Sequence, residues 1–127
     1  MVIEKIKEVK HLKFQIKILE EKIEEIRGQM EVQAIKYSDM PKAEGYAKSI
    51  MQMLTEKILE LENKKDKLQI KIDFILEELS ELPETVYKVV YYRHIDNMSW
   101  LEIADKVNYS VSQCKRFYVN AKNRVAV

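Results

Sequence analysis

RHIDNMSWLEIADKVNYSVSQCKRFYVNAKNRV, residues 93–125, holds two helix-start signals eleven residues apart and a basic segment after the second. Ser99-x-x-Glu102 and Ser110-x-x-Gln113 both have the capping-box pattern. In it a hydroxyl caps an early backbone N–H, and an acid or amide three residues on reaches back. Between the boxes Ile103, Ala104 and Val107 share one helix face; beyond them Cys114, Phe117 and Ala121 recur every three or four residues. Two short helices around a tight turn, the second ending in Lys and Arg, predict a helix-turn-helix that reads DNA.

Upstream, Pro83 suits the start of a helix. PETVYKVVYYRHI then sets Val86, Val89 and Val90 on one side, continued by Tyr92 and Ile95, before Asp96-Asn97 turns the chain into Ser99. Helices of about 83–95, 99–107 and 110–125 are expected. A unit of that size buries little apolar surface alone, so docking on another part, or dimerisation, has to supply the rest.

The preceding residues are patterned differently. Val2, Val9, Ile16, Ile23 and Met30 lie at steps of seven, with Leu12, Leu19 and Ile26 in the companion seam and Lys5 and Gln33 interrupting it. This heptad pattern predicts a coiled-coil helix over 2–36. Gly28 inside it predicts a bend or a close approach. YSDMPKAEG, within a loop expected at 37–45, breaks the period at Pro41 and Gly45. A second heptad helix is expected at 46–81, with a seam of Met51, Leu54, Ile58, Leu61, Lys65, Leu68, Ile72, Ile75, Leu79 and Leu82. Lys65 is its one charged member, a device that fixes register.

The fold class expected is therefore all-α: a long antiparallel coiled-coil hairpin (1–81), then a three-helix unit (82–127). Pairing of each long helix with a copy from another subunit satisfies the same pattern. Phe14 with Ile18, and Ile70 with Phe74, are apolar i,i+4 pairs off both seams, and predict a second interface, a homodimer through the arm.

Composition supports this division. Of 127 residues 34% are charged, with only two Gly and two Pro, a balance that favours long helices. Residues 1–82 hold 15 Lys/Arg and 17 Asp/Glu, whereas 83–127 hold 7 and 4, and no acid follows Ser110. A net charge of +1 excludes a uniformly basic coating protein, and positive charge gathers where the second helix of the motif lies. A single cysteine, Cys114, excludes an internal disulfide and fits a cytoplasmic location; on the inward stripe it reads as a small buried hydrophobe. The N-terminus, MVIEKIKEVK, alternates charge with hydrophobe, unlike a signal peptide or a membrane span. His11 and His94 have no ligand-spaced companions, so no metal is expected. No phosphate loop, no nucleophile with a base and no paired carboxylates point to an enzyme, and no cofactor is expected.

The segment from Leu82 to Val125 resembles region 4 of sigma-70-type transcription factors. The shared frame is Leu82-Pro83, Arg93 closing the first helix, Ser99, Glu102-Ile103-Ala104, Ser110, and Ala121 seven residues after Cys114. With its long charged helices the chain resembles small phage and prophage proteins related to the ArpU and RinA late transcription regulators. The resemblance implies base contacts from Val111, Ser112, Lys115 and Arg116, and phosphate contacts from Ser99, Trp100, Ser110 and Lys122. It implies double-stranded DNA as partner, with RNA polymerase a second candidate for the arm. Residue chemistry adds that Arg116 or Lys115 suits guanine and Gln113 suits adenine. The chain departs from the sigma pattern at Val111 and Ser112, where a charged pair is usual, and at Asn97 and Asn108, where Gly is usual. Alternative readings of the same features are a DNA-packaging initiation subunit resembling a small terminase, and a coiled-coil adaptor that binds protein.

Overall fold

A computed structural model describes residues 2–37 and 44–123, which form helices joined by short turns with no strand among them. In chain order they form α1 (Val2–Tyr37), α2 (Glu44–Leu79), α3 (Glu84–His94), α4 (Trp100–Val107) and α5 (Val111–Asn123). Most of the loop expected at 37–45, including Pro41, lies outside the described residues, as do Arg124 and Val125 at the expected end of the last helix. The second long helix starts and stops two residues earlier than its heptads suggest. At its end Ser80 Oγ donates to the Glu77 carbonyl at 2.6 Å. Pro83 biases Leu82 away from helical backbone, so the chain turns here. Pro83 itself sits at the N-cap of α3, with φ −51° and ψ 139°.

Contacts group the described residues into two compact units, one spanning Phe14–Gln69 and the other made of the residues up to Lys13 with those from Ile70 onward. The heptads end near 81, but the grouping by contact divides the long helices at 13/14 and 69/70 instead.

In the Phe14–Gln69 unit, Ile23 and Leu61 are buried, and Ile16, Leu19, Ile26 and Met30 are half-buried, as are Met51, Leu54, Ile58 and Leu68. Every expected seam residue of this unit is thus withdrawn from water at least in part. Two ion pairs cross from α1 to α2: Glu20 with Lys65 at 3.7 Å and Arg27 with Glu62 at 3.3 Å. As the α1 partner advances the α2 partner recedes, so these stretches run antiparallel. The seam lysine, Lys65, thus has a partner on the opposing helix. No close approach occurs at Gly28, since a Cβ added there would meet nothing within 4 Å.

In the other unit the sequence leaves three short helices with little to bury, and the ends of the long helices supply it. Val2, Ile6 and Leu79 form one buried cluster with Val86, Val90 and Ala121. A second cluster joins Val89, Ile103 and Cys114 beneath Tyr92, Met98, Trp100 and Val107. The α3 valines are therefore shared: Val86 and Val90 face the first cluster and Val89 the second, so α3 is covered on two sides. Ile6 was not on the heptad seam, yet it is fully buried. Lys5 holds the seam position beside it and pairs with Glu78 at 2.6 Å.

Removing Ile6 leaves a cavity as well as lost transfer energy. Ile6→Ala is expected to lower unfolding free energy by about 3 kcal/mol, measured by urea titration of the intact chain.

Candidate nucleic-acid interface

The interface is built from two capped helix starts. Ser99, in extended backbone, accepts a hydrogen bond on Oγ from the Glu102 N–H at 3.2 Å. Among the described residues Glu102 does not reach back to the Ser99 N–H, so the expected box closes in one direction only. The carboxylate is exposed and well hydrated, and immobilising it costs side-chain entropy. At α5 the box closes both ways. Ser110 Oγ accepts from the Gln113 N–H at 3.2 Å, and the Ser110 N–H donates to Gln113 Oε1 at 3.3 Å.

Between the two helices Asn108 has φ 60° and ψ 39°, and its N–H donates to the Ala104 carbonyl. Asn97 has φ 53° in the turn before α4. Asparagine occupies both left-handed positions, and its short polar side chain tolerates that backbone.

Packing then fixes which face of α5 points inward. Cys114 and Ala121 are fully buried, with Phe117 and Tyr118 half-buried beside them. Tyr109 meets the Phe117 ring edge to face at 5.1 Å. Tyr118 stacks on His94, with His94 Nε2 and the phenol oxygen 3.0 Å apart, and meets Trp100 edge to face at 5.5 Å. Arg93 lies over the opposite partner of that pair, its guanidinium 4.8 Å from the Trp100 ring centroid, while donating to the Met98 carbonyl at 3.0 Å. Burial holds the His94 imidazole below its ordinary pKa, and the charges of Lys7, Lys10 and Arg93 add to that effect. Burial likewise pushes the Cys114 thiol up, away from the reactive thiolate.

The outward face follows from the same period. Ser112, Lys115, Arg116, Val119, Asn120 and Asn123 are all exposed and fall at i, i+3, i+4, i+7, i+8 and i+11, a single stripe. Lys122 is exposed on its flank. No carboxylate lies on α5, and among the described residues neither Lys115 nor Arg116 has an ion-pair partner.

The expected site residues therefore separate into groups. Ser112, Lys115 and Arg116 are brought together on the outward stripe. Val111 is not among them: it is half-buried and shares the inward stripe of Cys114, three residues on. Ser99 and Ser110 are exposed caps. Gln113 is exposed, but its amide oxygen already accepts the Ser110 N–H, and bidentate adenine reading would need that same oxygen. Trp100 is a half-buried packing residue. Val119, Asn120 and Asn123 belong to the outward face and were missed, although extending the period from Ser112 finds them.

Among the described residues no group of three or more His, Cys, Asp or Glu could hold a metal ion, and no helix is long and apolar enough to cross a membrane. The caps can be tested directly. Ser110→Ala and Gln113→Ala should each cost about 1 kcal/mol, and the double variant less than their sum, because both remove the same reciprocal pair; chemical denaturation checks it. Scans of this chain against protein-family models, curated proteins and solved structures return no match.

Proposed function

We propose that the chain is a sequence-specific DNA-binding transcription regulator of phage or prophage type. In this reading α1 and α2 form a coiled-coil hairpin, and α3 to α5 form a helix-turn-helix unit of the sigma-region-4 kind with α5 in the major groove. The observation that carries it is the outward stripe of α5: six exposed side chains, two cationic and three with polar hydrogen-bonding groups, on a helix without acid.

The chemistry of that stripe suits base edges. Arg116 or Lys115 offers donors to guanine O6 and N7, Asn120 offers the donor and acceptor that match adenine, and Val119 offers an apolar contact for a thymine methyl. Ser110 and Lys122, at the two ends of α5, and Ser99, the cap of α4, suit phosphates, which position a reader without specifying sequence. The inward aromatic set of Tyr118, Trp100 and His94 gives α5 a rigid seat. Gln113 acts in the cap, and Val111 in the packing. The transcriptional role rests on the resemblance of the segment from Leu82 to Val125.

Selection of bound duplexes from random DNA, followed by titration across a salt series, tests this. Arg116→Ala should lose about 1–3 kcal/mol of affinity and relax the preference at one base pair. Lys115→Ala should weaken binding as well. Failure of the intact protein to retain any duplex at low salt overturns the reading.

The arm serves for dimerisation or for contact with RNA polymerase, and features of its surface support the first. Phe14, Ile70 and Phe74 are 61%, 67% and 63% exposed. Ile70 and Phe74 line a groove of about 470 Å³ with Lys5, Glu8, Lys71 and Glu78. An apolar centre flanked by the Lys5–Glu78 pair and by Glu8 and Lys71, one charge of each sign, can match a second copy of itself, as a two-fold interface demands. Sedimentation should give a two-chain mass for the intact protein and a one-chain mass for Phe74→Glu; a single-chain mass for the intact protein removes the dimer.

A further inference from the structure

Away from α5, cations also converge along the second half of α3 and the turn that follows it. Lys10 Nζ donates to Asn97 Oδ1 at 2.9 Å. One turn further along α1, Lys13 Nζ donates to the Tyr91 hydroxyl at 3.0 Å and lies 5.3 Å from the centroid of that ring. Lys7 and Lys10 both act on His94, and Arg93 lies beside it in sequence. Lys7, Lys10 and Lys13 are all exposed.

Lys10 and Lys13 are held in place, and none of the three lysines is neutralised by an ion pair. Among the described residues none of the three has a carboxylate within 4.0 Å. Lys5, on the same helix, shows the contrast, since it pairs with Glu78 at 2.6 Å. An amide oxygen and a phenol orient an ammonium group but leave its full charge available. The cluster thus presents positive charge that an anionic partner could meet.

Its location identifies the partner. Asn97 stands two residues before Ser99, which caps α4, and in a helix-turn-helix the helix that precedes the recognition helix crosses the DNA backbone. Three lysines over about 9 Å of helix, roughly 4.5 Å apart, span the length of two to three successive phosphates of a strand, which carries about one charge per 3.4 Å of axis. Lysine supplies a point charge with no planar fork, which suits phosphate more than a base edge.

We propose that Lys7, Lys10 and Lys13 of α1 form a second contact to the phosphate backbone of the duplex that α5 reads. The inference rests on the DNA-binding reading above. The contact strengthens binding to any sequence and leaves the choice of sequence to α5. The N-terminal helix is then part of the DNA interface as well as of the arm.

The test uses the full chain with Lys7→Gln, Lys10→Gln and Lys13→Gln combined, and a second variant with Arg at all three positions. Each is titrated with a selected duplex and a scrambled one across a salt series. The Gln variant should lower the slope of log affinity against log salt by about two to three, equally on both duplexes, with base preferences unchanged. The Arg variant should keep the original slope, which separates loss of charge from loss of fold. Lys88→Gln, on the same unit but paired with Glu84, should leave the slope unaltered. An unchanged slope in the Gln variant overturns the inference while leaving the α5 reading intact, and so does a loss confined to the selected duplex. Absence of duplex binding by the unsubstituted protein removes the reading on which it rests.

Discussion

The burial of Val2, Ile6 and Leu79 against Val86, Val90 and Ala121 is the interaction on which the C-terminal helices depend. Helices of 11, 8 and 13 residues are each too short to be stable on their own, and together they enclose few fully buried side chains. The second cluster, around Val89, Ile103 and Cys114, closes only the side of α3 that faces α4 and α5. Without the ends of the long helices, Val86 and Val90 would lose Val2, Ile6 and Leu79 and keep only Ala121 among the buried members of the first cluster. Each such residue contributes roughly 1.5–3 kcal/mol when buried, a large share of the net stability of a small domain. The unit that carries the candidate interface is therefore built from both ends of the chain, and the first turns of α1 belong to it.

That burial also fixes the orientation of α5. Ala121 in one cluster and Cys114 in the other are small side chains, and both are fully buried. Once both point inward, the helical period leaves no freedom: Ser112, Lys115, Arg116, Val119, Asn120 and Asn123 must point out. Tyr118 fills the space between the clusters and is held by His94 and Trp100. Neutral His94 fits this seat. Because burial and nearby cations depress its titration, the folded chain loses stability as pH falls through the ordinary histidine range, where the unfolded chain takes up the proton first.

Much of this was legible in the sequence, and the misses have physical reasons. The heptads located α1 and α2 because burial along a paired helix repeats every seven residues, and even the odd member Lys65 has its counterpart in Glu20. The caps located α4 and α5 because Ser and Gln satisfy orphan N–H groups over three residues, a distance the sequence displays. Asn97 and Asn108 stood out through the resemblance, which puts Gly at both positions, and both adopt left-handed backbone. Ile6 was not legible, because its partners Val86, Val90 and Ala121 lie some eighty or more residues away and the heptad frame treats its position as a flank. Val111 was assigned outward by the register of the sigma-like resemblance, whereas its spacing from Cys114 puts it inward. For Gln113 the residue type suits two tasks, and only geometry shows that its oxygen is taken by the cap. Glu102 has the right spacing, but water competes successfully for an exposed carboxylate.

The distribution of charge follows from the same architecture. Where α1 and α2 pair, several cations meet carboxylates across the seam or along the helix, as at Lys5, Arg27 and Lys65. Such exposed pairs add little stability, but they cancel the local field and help set register. On α5 the pattern reverses, since a helix without acid cannot cancel its own cations. Lys10 and Lys13 are likewise directed to an amide and a phenol instead of carboxylates. A chain with a net charge of only +1 can thus present strong local positive potential, because solvent screening confines each field to about a Debye length, roughly 8–10 Å. Within that range it is the nearest unpaired groups, and not the total charge, that an approaching phosphate meets.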